Sequence, residues 1–146
     1  MEEIKIRWMR EKDLEEILKI EKENFKYPWK KSYFEYDLRR PNAYCLVAEM
    51  GNKIVGYLVA WEIADEFHLA NISVAKNYQR KGVGTKLMNE LIAIAKLREI
   101  KKIYLETRVS NIAAQNFYQK FNFKYAYLRK NYYSDGEDAW IMEKEL

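Results

Sequence analysis

Residues 71–97 read NISVAKNYQRKGVGTKLMNELIAIAKL, and the junction inside this stretch decides the fold. An apolar strand-like run ends at Val74. Gly82 and Gly84 then follow two cations, Arg80 and Lys81. Beyond them Val83, Leu87, Leu91 and Ala95 recur at helical spacing, with Met88 and Ile92 widening the apolar face. The pattern is therefore strand, turn, helix. The chain has only five glycines, so two within three positions need a reason. A helix N-terminus carries unpaired N–H groups and partial positive charge. Glycine lets an anion approach that backbone, and Arg80 and Lys81 offer charge-assisted contacts to phosphate. On these residues alone, an ordinary loop-to-helix junction fits as well. The stretch lacks the closing Gly-Lys-Ser/Thr of a nucleotide-triphosphate loop and the full spacing of a dinucleotide fingerprint.

Outward from this junction the pattern alternates between the two periods. Ile4, Ile6 and Trp8 predict a first strand. Asp13 helps start a helix carrying Leu14, Ile17 and Leu18. A second helix runs from about Lys31 to Arg39, with Pro41 ending it. AYCLVAEM and KIVGYLVAWEI predict two strands joined across Gly51-Asn52, and FHLANISV a third. After the long helix, KKIYLETRV predicts a strand and Asn111 to Phe121 a helix. FKYAYLRKNYY and EDAWIMEKEL close the chain as strands around Ser134-Asp135-Gly136. The order is strand, two helices, three strands, helix, strand, helix, two strands. It predicts one mixed α/β domain over residues 1–146.

Composition narrows the class. The chain has 146 residues, 49% hydrophobic and 33% charged, as in a globular domain rather than a disordered one. No run approaches the length of a membrane span. MEEIKIRWMR has no signal-peptide core, so a cytoplasmic location is expected. A net charge of +4 suits an anionic ligand without demanding nucleic acid. Cys45 is alone, which excludes an intrachain disulfide and a cysteine zinc cluster, and its apolar surroundings predict a buried small side chain. His68 is the only histidine. We read it as a packed or rim residue rather than a proton relay, and nothing supplies metal-ligand spacing.

Gln79-Arg80-Lys81-Gly82-Val83-Gly84 also fits the Q/R-x-x-G-x-G/A motif of the GCN5-related N-acetyltransferases, and the chain resembles that family. YLETRVSN followed by AAQNFYQKFNF, the late RKNYYSDGEDAWIM and the early YPWKKSYF are similar to segments of its RimI-like subgroup. That subgroup comprises ribosomal-protein alanine acetyltransferases and archaeal N-terminal acetyltransferases. The matches span nearly the whole chain. Two positions depart: Asn122 stands where the family has glycine, and Tyr27 where it has phenylalanine. Asparagine tolerates left-handed backbone, so the helix can still end there.

The resemblance implies the acyl-CoA N-acyltransferase fold, a mainly antiparallel central sheet flanked by helices. It implies acetyl-CoA as cosubstrate, with no metal. The pyrophosphate would sit over Arg80, Lys81, Gly82, Val83, Gly84 and Thr85, and the pantetheine arm beside Ile72, Ser73 and Val74. Asn111 is implied as a cofactor contact, with helix capping as an alternative or additional role. Glu106 is implied as the base and Tyr118 as both a cofactor contact and the acid that reaches the departing sulfur. The Val74 N–H is a candidate donor to the thioester oxygen.

Tyr27, Trp29, Tyr132 and Tyr133 are expected to line a peptide groove. Glu62, Asp65 and Glu66 form either an attractor for a positive peptide or a solvated turn. The expected acceptor is the N-terminal α-amine of a protein or peptide, with a ribosomal protein among the candidates. Its reference pKa lies near 8, against about 10.4 for lysine, a difference of roughly 3.4 kcal/mol in deprotonation. Acetylation of lysine or a small amine, and a noncatalytic coenzyme-A-binding module, stand as alternatives.

Overall fold

The computed structural model describes residues 3–146. Its strands are β1 (Ile4–Trp8), β2 (Ala43–Met50), β3 (Lys53–Ile63), β4 (Glu66–Val74), β5 (Lys102–Arg108), β6 (Lys124–Arg129) and β7 (Ala139–Glu145). Its helices are α1 (Leu14–Asn24), α2 (Lys31–Arg39), α3 (Val83–Leu97) and α4 (Ile112–Lys120). The strands form one sheet in the order β1-β2-β3-β4-β5-β7-β6. Every neighbouring pair is antiparallel except β4 and β5, which run parallel. A parallel pair needs a crossover, and α3 supplies it. The mixed α/β, mainly antiparallel expectation is met.

The central strands are buried on both faces, which explains their long apolar runs. Leu46 and Ala48 of β2 and Leu58 of β3 join Leu87, Met88 and Leu91 of α3 in one core. Cys45 and Val47, one residue out of phase, join Leu14 and Ile17 of α1, Phe34 of α2 and Tyr57 in the other. Each fully buried large side chain contributes about 1.5–3 kcal/mol. β4 and β5 instead alternate in burial. Phe67, Leu69, Ile103 and Leu105 pack beneath α3 and α4, so His68, Tyr104 and Glu106 project on the opposite face.

Local backbone geometry fits the turn residues. Gly51 and Gly136 have φ of 62° and 92°. Asn122, the position where the family pattern has glycine, ends α4 at φ 67°. Asp13 departs from expectation. Its side chain does not cap α1; it accepts from the Arg10 N–H at 2.8 Å and from both Arg7 terminal nitrogens at 2.9 Å. The guanidinium is the stronger partner, so the carboxylate turns back toward β1. Cys45 is buried and unpaired, and burial pushes its thiol up to about 12.

Candidate active site

A gap in the sheet forms the centre of the site. β4 and β5 pair only at Glu66–Lys102, Phe67–Ile103 and His68–Tyr104. Past that point β4 stays paired with β3 as far as Val74–Gly56, while β5 stays paired with β7 as far as Arg108–Ala139. The two strands separate and leave backbone edges open. The Ala75 N–H bonds back to Val55 on β3. Strand alternation therefore turns the N–H and C=O of Ile72 and Val74 toward the gap. The Val74 carbonyl is already engaged by Asn24 Nδ2 at 2.8 Å and Gln79 Nε2 at 3.1 Å. The Ser73 hydroxyl faces α1 instead, 2.6 Å from Asn24 Nδ2.

The glycine-rich turn sits at the mouth of this gap. Arg80 and Gly82 adopt positive φ, 63° and 86°. The first bond of α3 is Lys86 N–H to the Gly82 carbonyl, at 3.0 Å. The N–H groups of Val83, Gly84 and Thr85 thus precede the helical ladder, and the dipole of a four-turn helix lies behind them. Gly82 is a backbone requirement, since a Cβ there would meet open space. Gly84 is a packing requirement, since a Cβ would lie 3.3 Å from the Phe117 ring and 3.7 Å from Val74. The second glycine therefore seats α4 against α3 and the end of β4. With Arg80 and Lys81 alongside, the turn suits a pyrophosphate in charge and donor direction.

Glu106 lies on β5 just beyond the last β4 pairing. Its Oε1 is 2.8 Å from His68 Nε2 and 3.4 Å from the Tyr132 hydroxyl. His68 stacks on Tyr104, 4.7 Å between ring centroids, and meets the edge of Trp61 at 5.2 Å. It is packed, as expected, but it is also hydrogen-bonded to the candidate base. That contact adds a partner that the packed or rim reading did not name. Alternation alone could not show it, because it depends on the parallel register of two strands separated by α3.

Tyr118 projects from α4 into the core beside Phe117 and Phe123. Among the described residues its hydroxyl has no hydrogen-bond partner. Burial first, then the neighbouring Tyr133 and Glu106, hold that hydroxyl well above the ordinary phenol range. It stays protonated at neutral pH. Asn111 accepts from the Ala114 N–H at 3.1 Å and caps α4, so the capping role is real.

Two loops wall the face that carries Glu106. The α1–α2 loop brings Tyr27 and Trp29, and the β6–β7 loop brings Tyr132 and Tyr133. Arg108 ties them together. Its guanidinium lies 4.0 Å from the Tyr133 ring centroid and 5.8 Å from that of Tyr27. It also pairs with Glu137 at 2.8 Å and Asp135 at 3.0 Å. Sequence reasoning passed over Arg108, although its place two residues after Glu106 puts it on the same face. Burial, only partly opposed by Arg108, lifts the Tyr133 hydroxyl to about 12.

Glu21 was also missed. It is 1% exposed and accepts from the Tyr57 hydroxyl, from Asn71 Nδ2 at 2.9 Å and from the Trp29 backbone N–H at 2.9 Å. All three donors are neutral, and one belongs to the α1–α2 loop, so this carboxylate anchors the loop to the sheet. Its signal was faint: one acidic residue one helical turn after Ile17. Trp29 in turn stacks on Trp61, at 6.3 Å and 12° between planes. The acidic turn proves to be paired. Glu62 holds Arg98, Asp65 holds Lys101 and Glu66 holds Lys102.

Among the described residues there is no cluster of His, Cys, Asp and Glu suited to a metal, and no helix long and apolar enough to cross a membrane. Residues 14–123 match the family model described as "Acetyltransferase (GNAT) family". The chain is 36% identical over 139 residues to a candidate ribosomal protein bS18-alanine N-acetyltransferase of Bacillus subtilis (strain 168), covering 94% of this chain and 92% of that one. It is 33% identical to an N-alpha-acetyltransferase of Sulfurisphaera tokodaii, covering 99% and 94%. The crystal structure of the ribosomal-protein-S18-alanine N-acetyltransferase from Escherichia coli superposes with a TM-score of 0.90 at 31% identity, covering 98% of this chain and 94% of that one. A parted β4–β5 pair, an anion-ready turn at α3 and a family match across both thus agree that this chain belongs to the GNAT acetyltransferases.

Proposed function

We propose that this protein transfers the acetyl group of acetyl-CoA directly to the N-terminal α-amine of a protein or peptide. The observation that carries the reading is the position of Glu106. Its carboxylate stands at the point where β4 and β5 part, between His68 and Tyr132. A thioester lying along the open edge of β4 would have its carbonyl near the Val74 N–H, and an amine entering over Tyr132 and Tyr133 would meet Glu106.

Each step assigns a proton to a residue. Glu106, directly or through water, takes the proton that the ammonium must lose, and His68 holds the carboxylate in place. The amine nitrogen attacks the thioester carbon as the C–S bond breaks. The Val74 N–H faces the oxygen on which charge develops. Tyr118, kept protonated by burial, donates to the departing sulfur. Ile72, Ser73 and Val74 line the arm of the cosubstrate through backbone, and the turn from Arg80 to Thr85 holds its pyrophosphate. The Asn111 amide N–H₂ is available to the cosubstrate while its carbonyl oxygen caps α4.

Tyr27, Trp29, Tyr132 and Tyr133 form the peptide groove. The bacterial relatives are named for ribosomal protein bS18, which supports protein N-termini as acceptors. Acceptors and acetyl-CoA of this kind are met in the cytoplasm, where we place the protein.

Purified protein, labelled acetyl-CoA and peptides beginning with Ala, Ser, Met or Glu provide the test, with mass spectrometry locating the label. One matched peptide has a blocked N-terminus and a free internal lysine. Label on the free α-amine is expected. Label confined to lysine would replace this reading with lysine acetylation.

A further inference from the structure

A second cleft opens beside the groove, between α2 and the end of β3. It encloses about 370 Å³ and is lined by Trp29, Tyr33, Tyr36, Asp37, Arg40 and Trp61. Tyr33 and Tyr36 are 52% and 63% exposed, an unusual display of adjacent rings on a helix that also buries Phe34. Trp61 belongs to both sites: its edge meets His68, and its face is stacked on Trp29.

We propose that this cleft is a subsite for an uncharged apolar side chain of the acceptor peptide, several residues after the acetylated amine. The proposal rests on the acetyltransferase reading. Reach supports it. The His68 and Trp61 rings are 5.2 Å apart, and the Trp61 and Trp29 rings 6.3 Å. An extended peptide advances about 3.4 Å per residue. A chain with its amine at Glu106 therefore brings its third to fifth side chains over the two indoles.

Chemistry selects the class. The walls are four aromatic rings, which favour apolar contact at small entropic cost. A cation position over the Tyr36 and Trp61 rings is filled from within. The Arg40 guanidinium lies 5.2 Å from the Tyr36 ring centroid and 5.1 Å from that of Trp61. Its charge is balanced by the buried Asp37, 3.7 Å away. A lysine or arginine of the peptide would displace or repel Arg40, and an acidic side chain would compete with Asp37.

Peptides sharing their first two residues and carrying Leu or Phe, Ser, or Lys at positions three to five test the proposal against a dipeptide amide too short to reach the cleft. For the wild-type protein, kcat/KM is expected to rise about 10-fold from Ser to Leu or Phe, mainly through KM. In Tyr36→Ala and Tyr33→Ala that ratio falls toward one. Both side chains are exposed, so a folded variant is expected, and circular dichroism checks it. Equal kcat/KM for Ser and Leu peptides, a preference for Lys, or an unchanged ratio in both variants overturns the subsite alone. Failure to acetylate any α-amine, the dipeptide amide included, overturns the acetyltransferase reading and the subsite with it.

Discussion

His68 on β4, in the last pair that joins β4 to β5, meets Glu106 on β5 at 2.8 Å, Nε2 to Oε1. Fifteen residues of α3 lie between the strands in the chain, yet the parallel register brings the only histidine onto the candidate base. Glu106→Gln keeps the shape and removes the proton acceptor, so kcat should fall by about 10²–10⁴-fold. His68→Ala should also lower kcat. The double variant should lose less than the product of the two single losses, because both act at one carboxylate. Fully multiplicative losses in steady-state kinetics would show that the two side chains act independently.

The Tyr118 ring packs into the core, its hydroxyl has no hydrogen-bond partner among the described residues, and burial leads the forces that keep it protonated. Tyr118→Phe should cut kcat by about 10²-fold or more while leaving the Kd for acetyl-CoA within about twofold. The raised phenol value also fixes a sign: the wild-type rate should not decline through loss of this proton anywhere near neutral pH. Single-turnover rates and calorimetric titration separate the two effects. An unchanged chemical step in the phenylalanine variant would remove Tyr118 from the reaction.

Gly82 and Gly84 should fail differently. Gly82→Ala forces a Cβ onto a left-handed backbone with free space around it, a cost of about 1–2 kcal/mol in stability. Gly84→Ala presses on the Phe117 ring at 3.3 Å and, through it, on the adjacent Tyr118. The first variant should mainly lower Tm; the second should lower kcat more than its Tm loss suggests. Thermal unfolding and kinetics on the same preparations check the contrast, and a reversed ranking would mean that Gly84 is not packing α4 in place.

The Arg7–Asp13 pair supplies a pH prediction. Burial pushes the Asp13 carboxyl up, but the Arg7 hydrogen bonds and the Arg10 N–H outweigh it, leaving a native value below the ordinary 3.8. A lowered carboxyl value stabilises the fold above the unfolded value, and the stabilisation is lost as pH falls through the native one. Asp13→Asn should therefore cost about 3 kcal/mol near pH 7. Its deficit relative to wild type should shrink as pH falls below the ordinary carboxyl value of 3.8 and through the lowered native one. Urea unfolding across that range measures both, and a constant deficit would assign the loss to packing rather than charge.

The sequence by itself determined the local elements and the glycine-rich turn before α3. These rest on short-range rules: period two in β4, period 3.6 in α3, and glycine at the positive-φ positions 51, 82 and 136. Asn122 at φ 67° shows such a rule absorbing a family departure. The resemblance carried Glu106 and Tyr118 as candidates, and the structure places Tyr118 near enough to Glu106 for that charge to act on its hydroxyl.

Tertiary structure alone decided the rest. The insertion of β7 between β5 and β6, the parting of β4 from β5, and the meeting of His68 with Glu106 are long-range register facts. So are the Arg108 link between two loops and the Glu21 anchor that holds one of them to the sheet. Each joins residues whose nearest sequence neighbours give no hint of the contact, because side-chain hydrogen bonds and ion pairs are chosen by which surfaces the packed sheet brings within about 3 Å. Local periodicity assigns a side chain to a face; only the closed fold says what stands opposite it.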